Sequence, residues 1–188
     1  MATDGSSEQI AHAVPAPTVE YRVARADSSG LAARSVDVVT VAQALHWFAG
    51  EPFFGEVRRV TVPEGVIAAW SYGSAHAGAD VEPLLRELEH QTLRTFWRPE
   101  RKWVDEHYQT IPFPFPEVAA PPFALRVAWT LRQLGAYLGS WSAVADYRRD
   151  RGEDPVGPVL ERMAGFWGSP DATREVTWPL NIRVGRVE

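Results

Sequence analysis

The sequence predicts an α/β fold built on a parallel β-sheet, and two observations carry that prediction. Residues 36–41 contain four valines, and 63–72 read as a turn followed by a continuous apolar run, as expected for strands buried on both faces. Between them, residues 51–61 repeat apolar side chains every three or four positions, which is typical of a helix with one buried face. This order predicts two adjacent parallel strands joined by a crossover helix.

The N-terminal stretch supplies two shorter elements. Ser6 and Gln9 are spaced as in a capping box and predict a short helix. Residues 19–23, VEYRV, alternate with β-branched and aromatic side chains and predict a strand. The first half of the chain therefore alternates strands with helices.

The second half begins with a predicted long helix. Asp80 can cap a helix over about 81–98, whose apolar residues fall on one face. The run 111–123, IPFPFPEVAAPPF, contains five prolines and predicts an extended, stiff loop, because proline disrupts a helix. A strand over about 123–129 follows.

The C-terminal part continues with helices and ends on a strand. Thr130 and Gln133 form a second predicted capping box, which opens helical segments that continue to about 150. Another helix is predicted near 156–167. The ending REVTWPLNIRVGRV alternates as a strand does.

Composition limits the classes of function. A length of 188 residues suits one domain, and a net charge of −5 weighs against a nucleic-acid binder, whose affinity depends on clustered Lys and Arg. The absence of cysteine excludes disulfides and thiolate chemistry. No signal-peptide pattern or membrane-length apolar run is present, so we expect a cytoplasmic protein that binds a small molecule and no membrane. Abundant Ala, Arg, Val and Pro are typical of a high-GC bacterial gene.

The common catalytic motifs are absent. Neither G-x-x-x-x-G-K-[ST] nor G-x-G-x-x-G occurs, and no G-x-S-x-G nucleophile elbow is present. The five histidines lack H-x-x-x-H spacing, so we expect no metal site. Any chemistry must therefore be sought in side chains that follow the predicted strands.

Two acidic residues stand at such positions. Asp4 precedes the first helix, where its charge either favours the helix N-terminus or accepts hydrogen bonds from a ribose diol. Asp27 follows the strand at 19–23 and is either an ordinary loop carboxylate or a partner for an adenine amino group.

Three polar or aromatic residues follow the valine-rich strand. Open parallel sheets bind ligands outside the carboxyl ends of their strands, and Gln43, His46 and Trp47 emerge from such an end. The simpler interpretations are a turn amide, a satisfied polar residue and a core aromatic, respectively. Their occurrence together favours a ligand site.

These segments together resemble a known family. Asp4, VARAD, SVDVVTVAQALHWF and EVRRVTVPEGVIAAWSYG follow one another as in the class I S-adenosylmethionine-dependent methyltransferases, and the chain is most similar to their type 11, trans-aconitate methyltransferase-like branch. The ending VTWPLNIRVGRV is also similar to that branch. The resemblance covers nearly the whole chain and implies a Rossmann-like sheet with flanking helices.

The resemblance also implies a cofactor, S-adenosylmethionine, and the residues that hold it. Asp4 matches the acid that binds the cofactor ribose, and Ala26 with Asp27 matches the segment that contacts adenine. Gln43 and Ala44 match the residues beside the methionine part of the cofactor.

On the acceptor side, the resemblance implies a small-molecule substrate. His46 lies beside the reactive methyl group and is the best-placed base for an acceptor that carries a proton, whereas a carboxylate acceptor needs no base. By the same resemblance, Trp47 is expected to pack under or beside the substrate, and residues 99–150 are expected to include a Pro-rich loop and a helical cap over the acceptor pocket. Trp141 and Tyr147 either line the acceptor pocket or pack in the core.

One departure from the family pattern affects the expected activity. The family's first strand, glycine-rich loop and following helix precede the residue that matches Asp4, and such a unit takes roughly 30 residues. We therefore expect residues 1–188 to form one methyltransferase-like domain that is incomplete at its N-terminus. The alternatives to an active enzyme are an inactive truncated fragment and a non-catalytic module completed by a partner chain.

The 188-residue chain is expected to bind S-adenosylhomocysteine poorly and to transfer no methyl group at a measurable rate. One hydrogen-bonding acid contributes about 1.5–3 kcal/mol, whereas micromolar binding needs about 8 kcal/mol. Calorimetric titration of this chain beside a version extended upstream measures the difference. Tight binding by the shorter chain would overturn the expectation.

Overall fold

The structure is a computed structural model that describes all 188 residues. Its strands, in chain order, are β1 (Ala2–Asp4), β2 (Tyr21–Val23), β3 (Val36–Ala42), β4 (Thr61–Tyr72), β5 (Glu117–Val118), β6 (Phe123–Trp129) and β7 (Arg174–Arg186). Its α-helices are α1 (Ser7–Ala11), α2 (Glu51–Val60), α3 (Glu82–Glu87), α4 (Arg101–Asp105), α5 (Leu131–Gly139), α6 (Ser142–Arg151) and α7 (Gly157–Trp167). No helix is long and apolar enough to span a lipid bilayer.

The chain divides into two compact units. The first unit comprises Met1–Ser71, Tyr108–Pro121 and Asn181–Glu188. The second unit comprises Tyr72–His107 and Pro122–Leu180. Each unit is described by itself below.

The first unit contains the predicted strand, helix and strand. β3 and β4 are adjacent and parallel, as predicted, with Val36 opposite Thr61 and Ala42 opposite Trp70. The connecting helix α2 buries the apolar face that its sequence period indicates; the buried residues are Phe53, Phe54, Val57 and Val60. The turn predicted at the start of the second strand is a bulge inside β4, where Glu64 has a φ of +63°.

β3 is less buried than the sequence predicts. Val41 is its only buried residue, and Val38 is 54% exposed. The prediction of a strand buried on both faces is wrong: β3 lies at the edge of its sheet, pairs only with β4 and has exposed side chains. β1 and β2 pair with each other in a separate, parallel, two-stranded sheet.

The second unit follows the predicted C-terminal order. The capping box at Thr130 is present in both directions: its side chain accepts from the Gln133 amide, and the Gln133 side chain accepts from the Thr130 amide. β6 pairs antiparallel with the first half of β7, from Phe123 opposite Leu180 to Trp129 opposite Arg174. Apolar side chains of α3, α5 and α7 form the core of this unit.

The prediction of one helix over 81–98 is wrong beyond the first turns, which form α3. α3 ends at Glu87 and continues as a π-helical turn, Leu88–Thr92, before the chain leaves helical geometry. The π turn coincides with the burial of Glu89, whose carboxylate accepts hydrogen bonds from Ser74 at 2.5 Å and from Arg101. A buried carboxyl group needs hydrogen-bond partners, and the π turn is the segment from which Glu89 contacts Ser74 and Arg101.

Asp80 does not cap that helix. The N-cap residue is Val81, which makes no side-chain cap hydrogen bond. The Asp80 carboxylate instead accepts two hydrogen bonds from Arg174 at 2.8 Å each, and this contact lowers the pKa of Asp80. The tertiary ion pair therefore replaces the predicted local cap.

Gly65→Ala is expected to destabilise the protein by about 1–3 kcal/mol, the range for overpacking a filled site. A methyl group at Gly65 would lie 2.3 Å from the Thr61 Cγ2 and 2.9 Å from the Asp37 carbonyl oxygen. Neither atom can retreat easily, since Thr61 is buried and Asp37 contributes backbone. Urea denaturation measures the change.

Gly55→Ala is the matched control. This glycine lies inside α2, and no atom stands within 4 Å of the added methyl group. Alanine favours a helix over glycine by about 0.5–1 kcal/mol, so the control should gain stability. Equal losses in the two variants would contradict the steric argument.

Candidate functional site at the carboxyl ends of the strands

The predicted ribose-binding acid ends the first strand of the β1–β2 pair. The Asp4 side chain is exposed, and its Oδ1 accepts a hydrogen bond from the Ser6 amide at 2.7 Å. The Ala24 amide donates to the Asp4 carbonyl at 3.0 Å and extends the ladder by one bond. The Ser6 amide therefore orients the Asp4 carboxylate. This orientation is compatible with both predicted roles, a favourable charge at the helix N-terminus and binding of a ribose diol.

Asp27 follows β2 and forms an ion pair. Arg25 donates to both of its oxygens, at 2.8 Å and 2.7 Å, and this hydrogen bonding lowers the pKa of Asp27. The Arg25 side chain is 79% exposed, so the pair can open at little cost in free energy. Ala26, between them, is half-buried.

A neighbouring contact fixes the loop after Asp27. The Ser29 amide and hydroxyl both donate to Glu56 Oε1, at 2.9 Å and 2.6 Å. Arg59 donates to the same carboxylate, whose side chain is only 9% exposed. Hydrogen bonds from Arg59 and Ser29 overcome burial and lower the pKa of Glu56 to about 2.

Gln43 marks the end of β3. Its amide donates to the Trp70 carbonyl at 2.8 Å, so the β3–β4 ladder continues to this residue. Its φ of +50° then places the backbone in the left-handed region, which costs a non-glycine residue roughly 1–2 kcal/mol. The chain turns here through half-buried Ala44 into a 3-10 turn, Leu45–Trp47.

The two aromatic residues of this turn have opposite environments. His46 is 7% exposed, whereas Trp47 is 55% exposed, which excludes the interpretation of Trp47 as a core residue. The two ring centroids lie 4.7 Å apart. A buried imidazole beside an exposed indole can bind a ligand with a hydrogen bond and an apolar contact.

The structure adds a residue that the sequence did not indicate. The Tyr108 hydroxyl lies 2.8 Å from His46 Nδ1, and Tyr108 has no exposed surface. Burial raises the pKa of Tyr108 to about 12, while contacts with the Leu45 and His46 backbones oppose that rise. Tyr108 lies 62 positions from His46 in an irregular segment, so no local pattern could identify it.

Arg183 holds the segment around Tyr108 in place, and no sequence pattern indicated this residue either. It donates to the Tyr108 carbonyl at 3.1 Å and to the Ile111 carbonyl at 2.7 Å. Its guanidinium also binds the Glu117 carboxylate and lies 4.6 Å from the centre of the Phe113 ring. One side chain of β7 thus anchors the irregular segment at several points.

Trp141 and Tyr147 lie in the second unit, within a group of aromatic side chains. Trp141 lies with its ring centroid 5.4 Å from that of Trp97 and 5.7 Å from that of Tyr137. The Tyr147 ring lies 5.0 Å from the Phe96 ring. Both residues are half-buried, so they contribute to packing and retain exposed surface. Their role in substrate binding stays a prediction.

Comparison with known proteins assigns these segments to a family. The family model described as "Methyltransferase domain" matches residues 1–69, which contain Asp4, Asp27, Gln43 and His46. A Dictyostelium discoideum protein named as a methyltransferase is 28% identical over an alignment of 189 positions. The alignment covers 97% of this chain and 72% of that protein. A solved structure from Anaeromyxobacter dehalogenans, described as a type II methyltransferase, is 42% identical, with a TM-score of 0.89 over 98% of this chain and 79% of its own.

Glu56→Gln is expected to lower the free energy of unfolding by about 3 kcal/mol near neutral pH. The folded pKa of Glu56, about 2, lies below its ordinary value of 4.5. Its contribution is therefore present above pH 4.5 and is lost as the pH falls through the folded pKa. Urea denaturation of variant and parent at several pH values should show curves that converge towards pH 2.

Glu20→Gln is the matched control for the same experiment. Glu20 pairs with Arg22, but its side chain is 62% exposed, and exposed pairs contribute little. Its stability difference from the parent should stay small at every pH. A pH-independent loss in Glu56→Gln would contradict the assigned role of its carboxylate.

Proposed function

Because this chain belongs to the S-adenosylmethionine-dependent methyltransferases, we propose that it transfers a methyl group to a carboxylate oxygen of a small-molecule acceptor. The observation that carries the proposal is the buried His46 imidazole, which Tyr108 holds at the carboxyl end of β3. Within the family we propose the type 11, trans-aconitate methyltransferase-like branch. The AQALHWF motif around His46 supports that assignment.

The cofactor is proposed to contact the ends of β1, β2 and β3. Asp4 is suited to the ribose diol, because its exposed carboxylate is already oriented by the Ser6 amide. Ala26 and Asp27 are proposed for the adenine, and the Arg25 pair would open to admit it. Gln43 and Ala44 are proposed for the methionine part, where the left-handed backbone of Gln43 redirects the chain.

A carboxylate acceptor suits the chemistry of these residues. Bound S-adenosylmethionine supplies a methyl group on sulfur; the new bond joins this carbon to the attacking oxygen, and the electron pair of the broken bond stays on sulfur. A carboxylate is already ionised at neutral pH, so no proton must be removed. The protein then needs mainly to align the acceptor and exclude water, and His46 and Trp47 can do this through a hydrogen bond and an apolar contact.

The edge position of β3 favours a second candidate. A strand with one neighbour presents unpaired backbone groups, and Val38 is exposed on β3. The chain could then be a non-catalytic module whose edge is paired by another chain. Sedimentation of the purified protein with and without cofactor distinguishes the enzyme from the module. The module requires a stable complex with another chain, whereas the enzyme does not.

His46→Ala is expected to lower kcat by about 100-fold or more, as for the loss of one catalytic hydrogen bond, with a far smaller change in cofactor affinity. Transfer of a labelled methyl group to a panel of carboxylic acids measures kcat in an upstream-extended chain, and calorimetry with S-adenosylhomocysteine measures affinity. Mild alkali should release the label as methanol, because only a methyl ester is hydrolysed under those conditions.

His12→Ala is the matched control, since His12 is exposed and its Nδ1 contacts only the local Glu8 carbonyl at 2.8 Å. It should leave both quantities unchanged. Equal losses of kcat and cofactor affinity in His46→Ala would indicate that His46 contacts the cofactor. If kcat and affinity are both unchanged, His46 has only a structural role. A product that is stable to alkali would exclude a carboxylate acceptor.

A further inference from the structure

Two charged side chains of α2 bind the loop that follows β2. Glu56 Oε1 accepts hydrogen bonds from the Ser29 amide at 2.9 Å and from the Ser29 hydroxyl at 2.6 Å. Arg59 donates to the Leu31 carbonyl at 2.8 Å and also to the Glu56 carboxylate. The helix therefore holds this loop through two backbone groups and one hydroxyl.

The contact at Ser29 is firmer than the other charged contact of the loop. The Glu56 side chain is almost completely buried, so solvent screens its hydrogen bonds little, and hydrogen bonds to a carboxylate are among the strong ones. The pair of Arg25 with Asp27 differs, because the Arg25 side chain is mostly exposed. The loop is thus fixed at Ser29, whereas the partner of Asp27 can leave.

The position of Asp27 depends on that fixed point. On its N-terminal side, the Ala24 amide extends the β1–β2 ladder by one bond. On its C-terminal side, Ser29 follows after two residues, a span of at most about 7 Å. Between these anchors the Ser28 amide donates to the Arg25 carbonyl at 3.1 Å and closes a turn. Releasing Ser29 would remove the C-terminal anchor of this short segment.

The charge of Asp27 gives the segment a chemical preference. Hydrogen bonding with Arg25 lowers the pKa of Asp27, while the nearby Glu56 charge acts in the opposite direction. The Asp27 carboxyl group is therefore ionised at neutral pH, and an ionised carboxylate only accepts hydrogen bonds. It suits a purine with an amino group at position 6 and repels a purine with an oxygen there.

We propose that Glu56 and Arg59 are positioning residues for cofactor recognition: they hold Asp27 where it accepts a hydrogen bond from the 6-amino group of adenine, and they thereby select adenine against hypoxanthine. This proposal rests on the proposed function, in which Ala26 and Asp27 contact the adenine. It adds that α2 sets the specificity of that contact, through side chains that do not themselves touch the ligand.

Amide hydrogen exchange tests the anchor in the 188-residue chain without any ligand. The Ser29 amide lies outside the strands and helices, yet it should exchange at least about 10-fold more slowly than an unstructured amide, because Glu56 holds it. Exchange at the unstructured rate in the parent would overturn the proposal. Since the parent decides this result, it does not depend on any variant folding.

Cofactor discrimination tests the consequence of the anchor. The probes are S-adenosylhomocysteine and its hypoxanthine analogue, in which oxygen replaces the 6-amino group, and each is titrated calorimetrically into an upstream-extended chain. The parent should bind the adenine form about 10-fold or more tightly, the range for a hydrogen bond to a charged group. Glu56→Ala removes both acceptor oxygens, so this ratio should fall to within about 3-fold of unity, because the released loop no longer holds Asp27.

Ser29→Ala is a milder second variant, since it removes the hydroxyl donor and keeps the amide. Its ratio should lie between those of the parent and of Glu56→Ala. Thr61→Val is the matched control: the buried Thr61 hydroxyl follows the same helix and donates to the Val57 carbonyl at 2.7 Å. Its loss destabilises the protein but leaves Ser29 bonded, so the ratio should equal that of the parent.

The ratio of the two affinities separates positioning from stability. A ratio that is unchanged in both Glu56→Ala and Ser29→Ala would overturn the proposal, and so would an equal fall in Thr61→Val. If Glu56→Ala does not fold, Ser29→Ala decides the result. Equal binding of the two probes by the parent would overturn the assignment of Asp27 to adenine in the proposed function and, with it, this proposal.

Discussion

The parallel register of β3 against β4 is the constraint on which the candidate site depends. It brings Ala42 opposite Trp70 and allows the Gln43 amide to bond to the Trp70 carbonyl, so that the ladder ends at one defined residue. A shift of one residue would exchange the two faces of β4, whose side chains alternate between buried and half-buried. Because that exchange would expose Ile67 and Ala69, the register and the position of the turn after Gln43 are determined together.

The same sheet also supports the His46 imidazole through the contact of Tyr108 with Nδ1. Arg183 belongs to β7, and it links Tyr108 to Glu117 of β5, which pairs with β7 at Gly185. His46 is therefore held by two parts of one framework, one through its own backbone and the other through Nδ1. A side chain supported in this way loses little conformational entropy when a ligand binds, which favours both affinity and alignment.

Most carboxylates near this region are paired with nearby arginines. Asp27 binds Arg25, Glu56 binds Arg59 and Glu117 binds Arg183. The Asp4 carboxylate instead accepts a hydrogen bond from the Ser6 backbone amide.

The amino-acid sequence alone determined most of the local elements and proposed the residues of the candidate site. The parallel β3–β4 pair, α2, the capping box at Thr130, β6, α7 and β7 follow from apolar period and capping residues, which act over a few positions. The family resemblance of the AQALHWF segment indicated methyl transfer, and the comparisons confirm it.

Only the tertiary structure decided where long-range contacts override local preference. Where a regular helix was predicted, Glu89 lies in a π turn and pairs with Arg101, and Asp80 pairs with Arg174 and does not act as the expected cap. Tyr108 reaches His46 from 62 positions away, through a strained segment without a recognisable pattern. Sequence periodicity reports which face of an element is apolar, whereas these contacts depend on which distant side chains the fold brings within hydrogen-bond distance.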